Sequence, residues 1–190
     1  MEIKNENLIA AYNAADESGK TMLRAMFPDM EWNAQTKDNR PITERVKTFE
    51  DACDILGACP GELEQQWEEA GLTMPDEIAY QKLRLIAAAL NKGWTPKFTE
   101  DEWRYYPWFY LWTDEELADK SEEWKRERCL QSTGGYETQY SGFAFAYSAY
   151  APSRTFADFG SRLCFKSDTL ADYAGKQFIK LWMDFYLIRK

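Results

Sequence analysis

Apolar residues recur at helical spacing through most of the first half of the chain, switch to a two-residue alternation, and return to helical spacing at the end. Leu8, Ala11, Tyr12, Ala15, Met22, Leu23 and Met26 predict a helix over 8–26, or two shorter ones divided at Gly19. Pro28 stops it, and residues 29–43 read as polar loop with one extended piece around Met30-Glu-Trp32. Thr48 has the character of an N-cap and Gly57 of a helix stop, so a helix is expected between them. Pro60 opens a further short helix from its permitted first-turn position. The strongest helical pattern of this half follows Pro75, with Ile78, Ala79, Tyr80, Leu83, Ile86, Ala87 and Leu90 on a wide apolar face, closed by Asn91-Lys-Gly93.

Aromatic residues then crowd together from Trp94 to Trp112. Pro107 inside Tyr105-Tyr-Pro-Trp-Phe-Tyr110 limits any strand there to a sheet edge or a bulge, because proline cannot donate to a ladder. Asp114 to Leu130 reads as a polar helical stretch, with Leu117, Trp124 and Leu130 as its contacts, and Ser132-Thr-Gly-Gly135 as a turn. From Tyr140 to Tyr150 the chain alternates, with Phe143, Phe145 and Tyr147 predicted on one side and Gly142, Ala144, Ala146 and Ser148 on the other. A second strand is expected at 155–165, interrupted by Gly160. Ser167 then caps one long helix to residue 188, whose core face is Leu170, Ala174, Phe178, Leu181 and Phe185; Gly175 signals close approach of a neighbour.

These elements predict an α+β fold: a helical N-terminal half, then a small antiparallel, aromatic-rich sheet covered by a long C-terminal helix. Residues 1–130 form the mainly helical region with its aromatic junction at 94–112, and 131–190 the sheet and last helix, as two parts or one continuous domain. A hydrophobic share of 45% and an aromatic share of 16% supply enough apolar surface for a real core.

Charge narrows the partners. A net charge of −9, with basic residues scattered or interleaved with acid as in Lys125-Arg-Glu-Arg128, argues against nucleic acid and anionic membrane. No long ordered carboxylate run suggests a DNA mimic, and no apolar run approaches the roughly 18 residues of a membrane span. The polar, acidic start lacks the pattern of a secretion signal, so the expected location is cytoplasmic. There Cys53, Cys59, Cys129 and Cys164 are expected as reduced, mostly buried thiols, since their spacing matches no zinc pattern.

The chain has no histidine, which removes Ser-His-Asp and Cys-His nucleophiles, histidine-based zinc chemistry and a histidine general base. Gly19-Lys20-Thr21 ends like a phosphate-binding loop, but Ala14 stands where the first glycine is required and no strand precedes it. Ser141 lacks a nucleophile-elbow setting, and Cys164 sits among bulky apolar neighbours that favour an inert thiol. Asp101, Glu102, Asp114, Glu137 and Asp158 are the acids near aromatics that a carboxylate-pair glycan hydrolase would use. Asp158, flanked by Ala157 and Phe159, has Arg154 and Arg162 close in sequence, and structural pairing with one of them is the simpler expectation. No catalytic residue, metal ligand or cofactor is therefore assigned. The candidate ligand-binding set is Trp103, Tyr105, Tyr106, Trp108, Tyr110, Trp112, Asp158 and Arg162, either as a stacking surface or with its aromatics as a core wedge.

Three stretches carry a resemblance: Thr48-Phe-Glu-Asp-Ala-Cys-Asp-Ile-Leu-Gly57, Tyr105-Tyr-Pro-Trp-Phe109, and Phe159-Gly-Ser-Arg-Leu-Cys-Phe-Lys-Ser167 with the following Leu170-Ala-Asp-Tyr-Ala-Gly-Lys-Gln-Phe178. Over most of 45–188 the chain resembles an uncharacterised family borne by phages and mobile elements of gut Bacteroidetes. That resemblance implies a source and carries no activity or site residue. Gly160-Ser-Arg-Leu163 is also similar to the closing strand of bacterial C-type-lectin-like domains, although the calcium motif is missing and a helix follows where that fold stops. The function expected on these grounds is a non-enzymatic binding or accessory protein that engages a protein, or else a glycan; the alternative is the hydrolase.

Overall fold

The computed structural model describes residues 5–28, 30, 38–97, 99, 101–152 and 162–190. The extended piece expected around Glu31-Trp32, most of the strand expected at 155–165, and Asp158 lie outside them. Two compact units are present, residues 1–41 and 42–190.

The first unit carries α1 (Asn5–Ala14) and α2 (Glu17–Met26). Of the two arrangements expected here, the pair of helices forms, but the break falls at Ala15-Asp16 and not at Gly19. Asp16 is the reason: its carboxylate accepts the Gly19 N–H at 2.8 Å and caps α2, so Gly19 becomes a first-turn residue. The Arg24 guanidinium lies 5.2 Å from the centre of the Tyr12 ring, tying the two helices together.

The second unit begins with α3 (Ile42–Arg45), α4 (Phe49–Leu56), α5 (Pro60–Glu69) and α6 (Pro75–Asn91). Thr48 and Asp51 form a reciprocal capping box at the start of α4, and Gly57 ends it at φ 68°, a left-handed turn that glycine adopts without strain. The strand β1 (Trp103–Trp112) follows, then two short helices, α7 (Asp114–Ala118) and α8 (Glu122–Glu127), in the stretch read as polar helix. After β2 (Gln131–Ser132) and β3 (Gly142–Pro152), the chain closes with α9 (Asp168–Gln177) and α10 (Ile179–Tyr186). The final helix is thus bent into two. Phe178 leaves helical geometry at φ −110°, ψ 27°, while Phe178 N–H to Ala174 O and Trp182 N–H to Phe178 O carry hydrogen bonding across the bend.

The sheet is antiparallel in the order β1-β3-β2, and helices α9 and α10 cover one of its faces. It draws strands from both sides of residue 130, and α6 packs against α10 beside it. Tyr105 exchanges backbone hydrogen bonds of 3.0 and 2.8 Å with Phe165 on the edge of β1 away from β3. Odd positions of β1 therefore turn their backbone to that edge, so the N–H that Pro107 lacks would not have entered the β3 ladder. Proline sits where a strand tolerates it. Within the strand expected at 155–165, the described part contributes this single bridge at Phe165.

One core joins α4 and α6 to the inner sheet face through Val46, Ala52, Leu83, Ile86, Leu90, Phe143, Phe145, Phe165 and Trp182. Trp182 is 0% exposed and its indole N–H donates to Ala174 O at 3.2 Å, so its polar atom is satisfied inside. Asn91 is a buried polar tie at the end of α6. Its amide donates to Cys164 O at 2.9 Å and its side-chain oxygen accepts from the Lys166 N–H at 3.1 Å. Gly175 fulfils the expected close approach: a Cβ there would stand 2.7 Å from Pro107 Cβ and from the Phe145 ring. At the C-terminus, Arg189 holds Asp184 through two bonds of 2.8 Å, and Tyr136 donates its hydroxyl to the same carboxylate.

Candidate functional site

A β-bulge governs which aromatics meet solvent. Phe145 pairs with Phe109 and Tyr147 with Trp108, which leaves Ala146 as an extra residue on β3. An extra residue reverses the two-residue alternation beyond it. Tyr147, expected beside Phe143 and Phe145, therefore points to the opposite face, and that expectation is corrected. The bulge is held from outside the sheet by Arg128, whose backbone oxygen accepts the Phe145 N–H at 2.9 Å and whose guanidinium donates to Ala146 O.

The outer face of the sheet consequently carries Tyr106, Trp108, Tyr110 and Trp112 from β1 and Tyr147 from β3. Trp108 and Tyr147 stack at 6.4 Å with rings inclined by 14°, and Tyr110 meets Tyr147 edge-on at 6.3 Å. Tyr106 continues the row at 6.5 Å from Trp108, and Tyr110 contacts Trp112 at 6.1 Å. The Trp112 end is covered. Trp124 of α8 packs edge-on against it at 5.1 Å, Lys120 lies over both rings, and Leu117 and Leu130 close over Gly142. The open end is not covered among the described residues: Trp108 is 37% exposed, and Tyr110 and Tyr147 are each 47% exposed.

Interlocked rings lose little freedom on binding, so this row is pre-ordered for a flat or apolar partner surface. A hydrogen bond with Tyr110 is the main reason that the Tyr147 phenol titrates above its ordinary value, followed by burial and the nearby Tyr110 and Tyr106 charges. On the inner side of the sheet, Pro107, Phe109, Leu111 and Phe143 line an apolar cavity of about 260 Å³ with Tyr186 and Leu187 from the end of α10, and Trp108 also borders it. Burial, reinforced by Tyr106, pushes the Tyr186 phenol well up, so at neutral pH it is an uncharged wall of that cavity.

The candidate set from the sequence divides. Tyr106, Trp108, Tyr110 and Trp112 share the outer face. Trp103 and Tyr105 lie at the other end of β1, where both pack on Tyr150, at 5.1 and 6.1 Å, and Tyr105 also joins the core. Arg162 is exposed, and Asp158 is outside the described residues. Alternate residues of the strand part company: Tyr105 and Phe109 pack against the core, whereas Trp108 and Tyr110 are exposed. Tyr147 belongs to the exposed row and was not in the set. Its signal was present in the alternation, but the bulge that redirects it depends on Arg128, which no local pattern marks.

The acids proposed for hydrolysis are dispersed in role. The Glu102 carboxylate accepts the Lys97 N–H at 2.6 Å, Asp114 sits exposed in the first turn of α7, and Asp101 and Glu137 are exposed. All four cysteines are free thiols; Cys53 and Cys164 are buried as expected, whereas Cys59 is exposed and Cys129 half-buried. Among the described residues no three Cys, Asp or Glu side chains come together to hold a metal ion. No described helix is long and apolar enough to cross a membrane. Comparison with protein-family models, with curated proteins and with solved structures finds no match.

Proposed function

We propose that this is a cytosolic binding or accessory protein, of phage or mobile-element origin, that acts by docking a partner protein on the outer aromatic face of its sheet. The observation that carries the reading is the exposed, interlocked Trp108–Tyr147–Tyr110 row on the outer face. Tryptophan and tyrosine are enriched among the residues that anchor protein interfaces. The free cysteines agree with a reducing compartment. The origin rests on the sequence resemblance alone.

The test uses the purified chain as bait in a lysate of a gut Bacteroidetes host, beside a Trp108→Ala/Tyr147→Ala double variant. A protein retained by the wild type and lost from the variant, with the melting temperature nearly unchanged, is the expected result. Equal retention by both baits overturns the reading. So does saturable quenching of tryptophan fluorescence by a soluble glycan with no protein retained.

A further inference from the structure

At the bulge, β3 leaves a polar cavity of about 530 Å³ between the end of α8 and the side of α9. Its charged walls are Glu127 and Arg128 on one side and Asp172 and Lys176 on the other, with Tyr147 and Ser148 at the strand. Two cations and two anions face one space, so its lining is close to neutral.

Asp172 and Lys176 stand one helical turn apart, a spacing at which acid and base ordinarily close on each other. Here they do not. The Lys176 ammonium lies 5.1 Å from the centre of the Phe145 ring, and it makes no ion pair among the described residues. Asp172 Oδ1 is buried without a hydrogen-bond partner. A buried carboxylate oxygen left so is costly and calls for a donor. Across the cavity Arg128 spends one donor on Ala146 O and, as a guanidinium, has others to offer. The space is therefore walled by a carboxylate with one unsatisfied, buried oxygen and by cationic donors suited to an anion, within one small-ligand volume.

The structure assigns this cavity to a small zwitterion: a free α-amino acid or short peptide whose ammonium meets Asp172 and whose carboxylate meets Arg128 and Lys176. An anion without an amine is disfavoured, because Glu127 and Asp172 share the walls. This site is independent of the aromatic docking face, although Tyr147 borders both.

The experiment is a thermal-shift screen of the full chain against the free L-amino acids, triglycine and inorganic phosphate, followed by calorimetric titration of each responder. At least one amino acid or triglycine should raise the melting temperature saturably, and its N-acetylated and its amidated forms should not. Asp172→Asn and Lys176→Gln should each weaken that binding roughly tenfold or more, while Trp108→Ala leaves it unchanged. Lys176 is exposed, so Lys176→Gln keeps the test decisive even if Asp172→Asn does not fold. Absence of any saturable response, a response to phosphate alone, or undiminished binding in Lys176→Gln overturns the assignment.

Discussion

The two faces of the small sheet are built from the same kind of residue on the same two strands and end in opposite environments. On the inner face Pro107, Phe143 and Phe145 are buried and Phe109 half-buried, with the Phe109 ring 5.7 Å from that of Trp182. On the outer face Trp108, Tyr110 and Tyr147 keep more than a third of their surface in water although their rings contact one another. Hydrophobicity cannot explain the difference. What differs is the neighbour: helices α9 and α10 cover the inner face, whereas α7 and α8 pack on the outer one at its Trp112 end. The phenols add a second difference, since a hydroxyl is tolerated cheaply where water reaches it and phenylalanine dominates where water does not. Aromatic density by itself thus predicts neither core nor surface; the covering element decides.

Truncation should accordingly be severe on one side and mild on the other. Trp182→Ala removes a side chain with no solvent exposure at the centre of the inner layer and should cost about 3–5 kcal/mol. Chemical denaturation should show the loss as a lower midpoint with an unchanged slope. Gly175→Ala tests the helix-to-sheet distance directly. Its added Cβ, 2.7 Å from Pro107 Cβ and Phe145, should cost about 1–3 kcal/mol even though alanine is the better helix former. A neutral Gly175→Ala would mean that α9 sits farther from the inner face.

The buried side also has a titratable marker. Burial, only partly offset by Arg104, raises the Cys164 thiol from 9.0 to about 11. The unfolded chain therefore loses that proton first as pH rises, so Cys164 contributes stability that is intact below pH 9.0 and lost progressively toward about 11. Denaturation midpoints should fall across that window, and Cys164→Ala should flatten the fall. At pH 8 a thiol reagent should modify exposed Cys59 quickly and Cys164 only as slowly as the protein opens.

Much of the frame was legible in the sequence because it depends on local chemistry. Thr48, Gly57 and Ser167 act as caps and stops where their side chains or dihedrals require, and Pro107 marked the edge of a sheet. Gly175 announced close packing for the same reason. The misread features depend on partners distant in sequence or on competing local bonds. Asp16 moved a helix break away from Gly19, and Phe178 bent a helix whose apolar stripe runs unbroken through the bend. The candidate site was legible as a composition and illegible as a geometry. Its aromatics were visible at once, but sorting them between two faces required knowing that Arg128 props a bulge at Ala146. A bulge shifts the period by one residue and leaves no hydrophobic signature of its own.

The smallest effects belong to the outer face, and there the two faces separate most cleanly. Trp108→Ala should change stability by less than about 1 kcal/mol, as for surface positions, against the several lost at Trp182. Tyr110→Phe is finer still, since it keeps the ring and removes only the hydroxyl. The Tyr110 bond is the largest contribution to the raised Tyr147 pKa, so without it the Tyr147 phenol should ionise at lower pH, nearer its ordinary 10.0. Ultraviolet titration of the phenolate absorbance, with Tyr147→Phe as the subtraction, resolves that group from the other tyrosines. The edge-on packing of ring 110 on ring 147 needs no hydroxyl, so partner binding should survive Tyr110→Phe and fail in Tyr110→Ala. Loss of binding in Tyr110→Phe would instead make the hydroxyl pair, and not the apolar row, the feature that the partner reads.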